Sequence, residues 1–467
     1  MKFHIENLGL LDQADIELAD LTIICGENNT GKTYAAYAIY GFLRSWREIL
    51  YRIVEPEIDI YLKNDSNSQL NLEQIFSGKI NKYLEIIGAR YTRGLPRVFA
   101  TDHSAFSKTI FKPSSTLKSD FSNTTYQHQV KSGPSGKVFA TITKATNSPI
   151  LEVLVTDVDQ QKYAFNVFSK FIIDAIADIV FSPHIPSFHI SSAERTGTAI
   201  FRKELDIART RILNALNEID SNELRQNPLQ LLNKIKTEYP WPVEDNVEFV
   251  RQLETLDKHT GELATQHPEI LKFFDSILGG SYKVIKQQLV FQEKGAGKKR
   301  FGMNESSSCI RALLDVGFYL RCKAKPGEIF IIDEPELNLH PKNQRAFARL
   351  VARLVNAGMK VFITTHSDYL VKELNTLIML NQRTAHTRAV QQRHGYDDTE
   401  LLAPERIRLY MTDTVLQDSP NGGRRNRIRT LTPATISPEH GIEVPTFDET
   451  IDTMNAIQEE IVFGEPL

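Results

Sequence analysis

The octapeptide GENNTGKT, Gly26 to Thr33, constrains what this chain can fold into more than any other stretch. It matches the pattern G-x-x-x-x-G-K-[ST] and follows an apolar run, Leu21 to Cys25, that predicts a buried strand. Glycines at both ends let backbone N–H groups surround a phosphate, Lys32 adds a positive charge, and Thr33 offers a hydroxyl to Mg²⁺. An ordinary glycine-containing turn is the alternative. The predicted phosphate-contacting residues are Gly26, Asn28, Asn29, Thr30, Gly31, Lys32 and Thr33.

Length and composition are those of a globular protein with two or three domains: 467 residues, 41% hydrophobic and 24% charged. No apolar run approaches the ~20 residues that span a bilayer, and the N-terminus lacks the apolar core of a signal peptide. We therefore expect a cytoplasmic protein without a membrane segment. Cys25, Cys309 and Cys322 are too widely spaced to indicate a zinc site or a disulfide framework. The formal charge of −3 gives no overall attraction to nucleic acid.

Two carboxylates follow a second apolar run, Ile329 to Ile332. Such a run predicts a buried parallel strand that presents Asp333 and Glu334 at its carboxyl end. In that position Asp333 would hold Mg²⁺ through water, and Glu334 would polarise an attacking water molecule. For this pair alone, a strand followed by an acidic turn without a chemical role is the alternative.

A third apolar run, Val361 to Thr365, ends immediately before His366. A lone histidine is usually structural. Because the carboxyl ends of parallel strands meet at one edge of a sheet, however, His366 would lie near the acids and could contact a γ-phosphate. Its position favours a functional role.

Three consecutive serines, Ser306, Ser307 and Ser308, precede a helical pattern from Cys309 to Arg321. Hydroxyls together with free N–H groups at a helix N-terminus can bind an anion. Taken alone, the simpler interpretation is a helix N-cap.

The patterns divide the chain into four parts. Residues 1–200 form an N-terminal lobe with the phosphate-binding loop and, between Ser107 and Asp157, alternating residues typical of an antiparallel layer. Residues 201–280 have a mostly helical pattern and read as an insertion, and residues 281–380 form a C-terminal lobe. The rest, 381–467, is a C-terminal extension. The predicted fold class is α/β, with a mixed parallel core sheet, an antiparallel layer and a helical insertion.

The order of the segments GENNTGKT, ESSSCIRALLD, IFIIDEPELNLHP and VFITTHS resembles the ATP-binding-cassette (ABC) heads of the SMC, Rad50 and RecF class. It is most similar to the compact bacterial ATPases grouped with OLD (overcoming lysogenisation defect) proteins, many of which belong to anti-phage defence operons. The resemblance covers residues 1–44 and 281–380 well and residues 187–197 loosely. It implies a P-loop ATPase head with ATP and Mg²⁺ as cofactors.

The resemblance also implies a role for each motif residue. Lys32 and Thr33 would bind the phosphates of ATP and the Mg²⁺ ion. Asp333 would be the Walker B magnesium residue, Glu334 the hydrolytic glutamate and His366 the switch histidine.

In the family, a signature loop completes the ATP site of the opposite subunit, and Ser306 to Ser308 correspond to it. ATP would thus close a head-to-head dimer or a higher homo-oligomer. The triple serine departs from the transporter sequence Leu-Ser-Gly-Gly. No glutamine can be assigned to the family's Q-loop. Glu194 and Arg195 occupy a neighbouring position, where a structural ion pair is the alternative.

OLD nucleases carry a Toprim domain after the switch histidine. Here the pair Asp397-Asp398 has no apolar strand in front of it, so we do not expect a built-in nuclease. The resulting hypothesis is an ATP-hydrolysing sensor that regulates a separately encoded effector, a nuclease, in bacterial anti-phage defence, with a phage protein as its trigger.

Two other functions stay open. A RecF- or Rad50-like DNA-binding repair ATPase would use the arginines of the segment 424–429, although neighbouring acidic residues favour protein contact or solvation over nucleic acid. A non-hydrolysing nucleotide-bound scaffold is the other alternative. The pair Asp333-Glu334 together with His366 argues against it, because a scaffold needs no hydrolytic glutamate.

Overall fold

A computed structural model describes residues 1–62, 67–118, 120–121, 123–132, 137–155, 161–201, 239–286, 288–295, 299–417, 425–443 and 453–461. The chain forms two compact units. The first comprises Met1–Glu17 and Tyr37–Phe188, and the second comprises Leu18–Ala36 and His189–Leu467.

The strands are β1 (Lys2–Leu8), β2 (Leu11–Glu17), β3 (Leu21–Cys25), β4 (Asn67–Asn71), β5 (Ile110–Ser114), β6 (Tyr126–Ser132), β7 (Lys137–Lys144), β8 (Ile150–Val155), β9 (Phe188–Ser191), β10 (Gly280–Ile285), β11 (Gln288–Glu293), β12 (Arg300–Gly302), β13 (Ile329–Asp333), β14 (Lys360–Thr365), β15 (Ile407–Gln417), β16 (Asn426–Pro433), β17 (Ile436–Ser437) and β18 (Gly441–Ile442). The α-helices with assigned ends are α1 (Lys32–Leu62), α2 (Leu72–Phe76), α3 (Ile80–Tyr91), α4 (Leu95–Val98), α5 (Gln161–Ile176), α6 (Arg195–Ile200), α7 (Trp241–Arg251), α8 (Leu253–Leu256), α9 (Glu262–Gln266), α10 (Pro268–Leu278), α11 (Ser308–Ala312), α12 (Leu314–Cys322), α13 (Pro341–Asn356), α14 (Asp368–Leu380) and α15 (Ala385–His394).

The first unit is built on antiparallel strands. In it, β1 pairs with both β2 and β5, and a separate four-stranded sheet has the order β4-β8-β7-β6. Every neighbouring pair of that sheet is antiparallel, which confirms the predicted antiparallel layer. The rings of Phe42, Tyr91 and Phe111 pack together, with edge-to-face geometry between Tyr91 and Phe111.

The second unit contains a sheet with the strand order β16-β15-β3-β14-β13-β9. Within it, β15, β3, β14 and β13 run parallel to their neighbours, and β16 is antiparallel to β15. Every residue of β3 and β13 is buried, as expected for parallel strands covered on both faces. The predicted α/β fold with a mixed core sheet is therefore confirmed.

Helix α13 connects β13 to β14 and shows why these residues form a crossover helix. His340 is the N-cap and Pro341 occupies the first turn, where its missing N–H costs nothing. Its buried residues recur at helical spacing, so that one face packs on the core of the second unit. They are Phe347, Ala348, Leu350, Val351, Ala352, Leu354 and Val355.

The sequence pattern also predicts a strand that the structure corrects. The run Tyr282 to Phe291 reads as a single strand in the sequence, but it forms the antiparallel hairpin β10–β11. Lys286, just after β10, has a φ of 50°. The sequence at this turn lacks the Asn-Gly or Asp-Gly pair that usually marks a tight hairpin, which explains why the pattern misses it.

The structure also divides the predicted helix Cys309 to Arg321 into α11 and α12. At the break, both partners of one helical hydrogen bond are engaged elsewhere. The carbonyl of Ala312 accepts from Arg195 Nε at 2.9 Å, and the N–H of Val316 donates to Asp315 Oδ1 at 2.8 Å. Competing side-chain hydrogen bonds of this kind interrupt a helix without proline or glycine.

Residues 202–238 of the predicted helical insertion lie outside the described residues. The described remainder forms α7 to α10, whose residues Phe249, Leu253 and Phe274 pack in the core of the second unit. Among the helices that the structure describes, none is long and apolar enough to cross a membrane.

His189, in β9, is partly buried as a residue, and its ring nitrogen Nε2 is buried. Its ring stacks on Tyr319 with 4.0 Å between centroids, and its Nε2 atom has no hydrogen-bond partner within the described part of the chain. Burial lowers the pKa of His189 from its ordinary 6.5 to about 3. The folded protein thus holds this imidazole neutral at pH values where the unfolded chain protonates it.

This burial predicts a pH-dependent stability. A depressed histidine pKa contributes stability that is complete above pH 6.5 and is lost as the pH falls toward 3. In His189→Phe, the free energy of unfolding should therefore fall less between pH 7 and pH 5, by about 2 kcal/mol. Urea denaturation at both pH values measures this, with the exposed His386→Phe as control. Equal pH dependence in parent and His189→Phe would contradict the prediction.

Candidate active site

Three parallel strands of the second unit, β3, β14 and β13, end at one edge of their sheet, and β15 runs on past it. Cys25 pairs with Thr365 of β14 and with Met411 of β15, and Asp333 pairs with Thr364. The segments that follow these strands therefore emerge side by side, as parallel pairing requires. This edge carries the phosphate-binding loop, the acids after β13, the histidine after β14 and one residue of β15.

The loop between β3 and α1 adopts the backbone that its glycines predict. Gly26, Asn29 and Gly31 have φ values of 144°, 60° and 102°. Asn28 and Asn29 are exposed at the tip, and the hydroxyl of Thr30 donates to the Glu27 carbonyl at 2.7 Å. A loop of this kind turns consecutive N–H groups toward one centre, which suits a phosphate.

Lys32 begins α1 and is only 4% exposed. Its Nζ donates to the carbonyls of Gly26 and Glu27, at 2.9 and 2.6 Å. Burial lowers the pKa of this ammonium group, while Glu334 and Asp333 oppose the shift through their negative charges. The cation is thus held inside the curve of the loop, where an anion would be stabilised by it.

Thr33 and Asp333 lie together, with 3.4 Å between the threonine hydroxyl and each carboxylate oxygen. The Thr364 hydroxyl also donates to Asp333. Burial raises the pKa of Asp333 to about 6, and the Thr364 hydrogen bond and the positive charge of Arg195 oppose this shift only in part. The hydroxyl and the carboxylate are hard oxygen ligands of the kind that Mg²⁺ prefers, so this pair could hold the ion.

Glu334, the next residue, has a φ of 50°, which non-glycine residues rarely adopt. Its N–H donates to the Thr364 carbonyl at 3.0 Å, which holds this conformation. His366 lies beside it, with 3.6 Å between Nδ1 and Glu334 Oε1. Strained backbone of this kind is concentrated at functional sites, so its presence here agrees with a chemical role for the carboxylate.

The structure brings together five of the predicted site residues, namely Lys32, Thr33, Asp333, Glu334 and His366. The three serines have different environments. Ser306 is buried and its hydroxyl donates to the Gly302 carbonyl at 2.9 Å, whereas Ser307 caps α11 by accepting from the Ile310 N–H. Ser307 and Ser308 are exposed, so a second molecule could reach their side chains.

Arg195 has a structural role that its sequence position did not reveal. It is 1% exposed, and its guanidinium donates to four backbone carbonyls, those of Ser192, Ala312, Asp333 and Glu334, at 2.6 to 3.0 Å. The cation thereby joins the end of β9, the break between α11 and α12 and the acids after β13. The main contacts of Arg195 are therefore these four backbone carbonyls, and not an ion pair with Glu194, which was the alternative.

Glu336 was also missed by the sequence patterns. Its Oε1 accepts hydrogen bonds from the Thr365 hydroxyl and from the His366 N–H, both at 2.7 Å. The same oxygen lies 3.3 Å from His366 Nδ1. The only sequence signal is its position three residues after Asp333, because the contact depends on a strand about thirty residues later.

Thr412 is the third missed residue, and it comes from the C-terminal extension. A Cβ atom on Gly26 would lie 1.9 Å from Thr412 Oγ1, a buried atom without a hydrogen-bond partner among the described residues. The extension thus forms one wall of the phosphate-binding loop, and Gly26 is required by this close approach as well as by its φ.

The close approach of Thr412 to Gly26 predicts that a methyl group at position 26 impairs the phosphate-binding loop. Gly26→Ala should weaken ATP binding at least about tenfold, because the new Cβ displaces β15 or the loop. Gly26→Ala/Thr412→Ala should recover part of that affinity, since the hydroxyl is removed while the backbone strain stays. Isothermal titration with ATP and Mg²⁺ measures both. Gly94→Ala, which meets nothing within 4 Å, is the control. Binding by Gly26→Ala at parent affinity would refute the contact.

Comparison with known proteins supplies the family. The profile of the AAA ATPase domain family, AAA_15, matches residues 1–371. No curated protein matches the chain.

Three solved structures of SMC heads are similar to the chain. The SMC head domain from Thermotoga maritima has 11% identity and a TM-score of 0.30, and covers 93% of this chain and 98% of that chain. The Smc head bound to the C-winged helix domain of ScpA has 13% identity and a TM-score of 0.34, with 93% and 97% covered. The Smc head with an extended coiled coil, bound to the C-terminal domain of ScpA derived from Pyrococcus furiosus, has 13% identity, a TM-score of 0.31 and 98% of both chains covered.

The family profile spans the phosphate-binding loop, the acids after β13 and His366, which are the residues that the geometry brings together. The chain belongs to the AAA_15 family of AAA ATPase domains.

Proposed function

We propose that this protein binds and hydrolyses ATP at the edge formed by β3, β14 and β13, and that it uses the nucleotide as a switch. The convergence of a phosphate-binding loop, a buried lysine, a hydroxyl–carboxylate pair and a Glu–His pair supports this proposal. These are the parts that phosphoryl transfer to water requires, since catalysis there consists of positioning and charge stabilisation.

Each side chain has a separate task. Lys32 would turn from the carbonyls of its own loop to the β- and γ-phosphate oxygens. Thr33 and Asp333 would hold Mg²⁺, which when bound neutralises negative charge on the phosphates. Glu334 would orient the attacking water and accept its proton, and His366 would contact the γ-phosphate.

The proposed switch is a head-to-head dimer, or a higher homo-oligomer, of ABC-type heads of the SMC, Rad50 and RecF class. The exposed hydroxyls of Ser307 and Ser308 support it, because a γ-phosphate bound by a second copy could reach them. ATP would then bridge two chains, and hydrolysis would remove the bridge. Order imposed by a γ-phosphate is a general switching device.

We assign the protein to the OLD-like ATPases that regulate a separately encoded effector, a nuclease, in bacterial anti-phage defence, with a phage protein as trigger. The motif order supports this assignment. The geometry of Asp397 agrees with a separately encoded nuclease, because its carboxylate accepts from Thr399 and forms a capping box with Glu400. This carboxylate therefore stabilises a local turn.

A DNA-binding repair ATPase is the second candidate. Arg427 and Arg429 of β16 are exposed and alternate, which places them on one side of that strand, and the exposed Arg425 directly precedes it. Such a row could follow a phosphate backbone, and its DNA affinity would fall steeply with salt.

If Glu334 is the hydrolytic base and Lys32 binds the phosphates, their substitution should impair hydrolysis and ATP binding separately. Glu334→Gln should lower kcat at least about 100-fold, because the general base is lost while the phosphate contacts stay. It should still bind ATP and accumulate as a dimer, whereas Lys32→Ala should fail to bind ATP. Phosphate release and light scattering with ATP and Mg²⁺ measure these effects, with the exposed Glu405→Gln as control. If Glu334→Gln hydrolyses ATP at the parent rate, Glu334 is not the base. A parent protein that binds ATP but never hydrolyses it would instead indicate a scaffold.

The proposed regulatory role predicts that the ATP-bound form trapped by Glu334→Gln binds a second protein. Glu334→Gln, expressed with its native neighbouring genes and purified with ATP and Mg²⁺, should carry a second protein in stoichiometric amount. Lys32→Ala prepared in the same way is the matched control and should lack it. Mass spectrometry and solution mass identify the complex. Nuclease-sensitive nucleic acid without a protein partner would reject the regulator and favour the DNA-binding alternative.

A further inference from the structure

We propose that Glu336 is a positioning residue that orients the imidazole of His366 and keeps it away from Glu334. The inference rests on the proposed ATPase function, since it assigns His366 to the γ-phosphate. It adds a residue that neither the motif pattern nor the family match singles out.

The first support is the way one carboxylate oxygen organises the end of β14. Glu336 Oε1 accepts the Thr365 hydroxyl and the His366 N–H at 2.7 Å each, so it holds the backbone from which the imidazole projects. The same oxygen is 3.3 Å from Nδ1 of that ring. The backbone is thus held by this oxygen, and the ring nitrogen lies within ion-pair distance of the same oxygen, which favours one orientation of the histidine.

The second support is burial. Glu336 is only 5% exposed, and its Oε2 is buried without a hydrogen-bond partner in the described part of the chain. A buried carboxylate is costly unless charge or hydrogen bonds compensate it, and the neutral donors Thr365 and the His366 N–H do so only in part. An Nδ1–H group on the nearby His366 ring would add a further donor to this carboxylate.

The third support is the competition between two acids for one ring. His366 Nδ1 lies 3.3 Å from Glu336 Oε1 and 3.6 Å from Glu334 Oε1. The Glu334 side chain is 22% exposed, against 4% for the Glu336 side chain. Glu336 therefore interacts with the imidazole in less polar surroundings than Glu334 does. Without it, the ring would pair with Glu334 and engage the carboxylate that has to orient water. Glu336 therefore serves both catalytic residues without touching the substrate.

The experiment compares Glu336→Gln, His366→Ala and the double variant. In Glu336→Gln, the amide oxygen of the new side chain can still accept from Thr365 and from the His366 N–H, so the fold is kept while the charge is removed. We expect kcat to fall about 10- to 100-fold with KM unchanged. The double variant should have the kcat of His366→Ala alone, because the effect of Glu336 passes through that ring. Glu373→Gln, which alters another buried carboxylate away from the site, is the matched control for burial.

A second measurement needs no hydrolysis. Ring-nitrogen NMR of the nucleotide-free protein, assigned with His366→Ala, should show a proton on Nδ1 of His366 in the parent and a changed tautomer distribution in Glu336→Gln. If the parent has no ATPase activity, the proposed function fails while this measurement still decides the role of Glu336. An unchanged His366 signal, an unchanged kcat in Glu336→Gln, or independent effects in the double variant would each overturn the inference.

Discussion

Parallel pairing of β3, β14 and β13 is the constraint on which the site depends. It aligns three strand ends, so that a loop, an acidic pair and a histidine distant in the sequence meet at one edge. The strands tolerate this arrangement because their residues are almost all buried and most of them are apolar. A one-residue shift between β13 and β14 would move the Thr364 hydroxyl away from Asp333 and the Glu336 carboxylate away from His366. Register is thus as important to the chemistry as the identity of the side chains.

Buried charged side chains are a second constraint on the site. Lys32, Arg195, Asp333 and Glu336 are each 5% exposed or less, and two of them lack a full set of compensating partners. Such groups destabilise the free protein, and a ligand that supplies the missing opposite charges recovers that free energy on binding. These buried charges agree with the proposed ligand, a polyanion accompanied by a divalent cation. Arg195 differs from the others, since its four carbonyl contacts leave it satisfied before any ligand arrives.

Local patterns predicted the parts of the site that follow directly from a strand. The glycine-rich loop, Asp333, Glu334 and His366 each come immediately after a buried apolar run, and that adjacency is visible in the sequence. Glu336, Arg195 and Thr412 escaped prediction because their roles depend on contacts between distant segments. The break between α11 and α12 escaped for the same reason, since a side chain from α6 causes it. The hairpin at Lys286 was missed because its turn lacks glycine and asparagine.

The position of β15 beside β3 also affects the order in which the chain can fold during synthesis. Leu21 of β3 pairs with Val361 on one side and with Ile407 on the other, so the strand before the phosphate-binding loop has no sheet neighbour until most of the polypeptide has left the ribosome. Pairings this distant in sequence form slowly, because a long loop must close first. Nucleotide would therefore have no finished pocket to occupy on a nascent chain. Competence to bind ATP would be acquired late, as nearly the last step of the protein's own assembly.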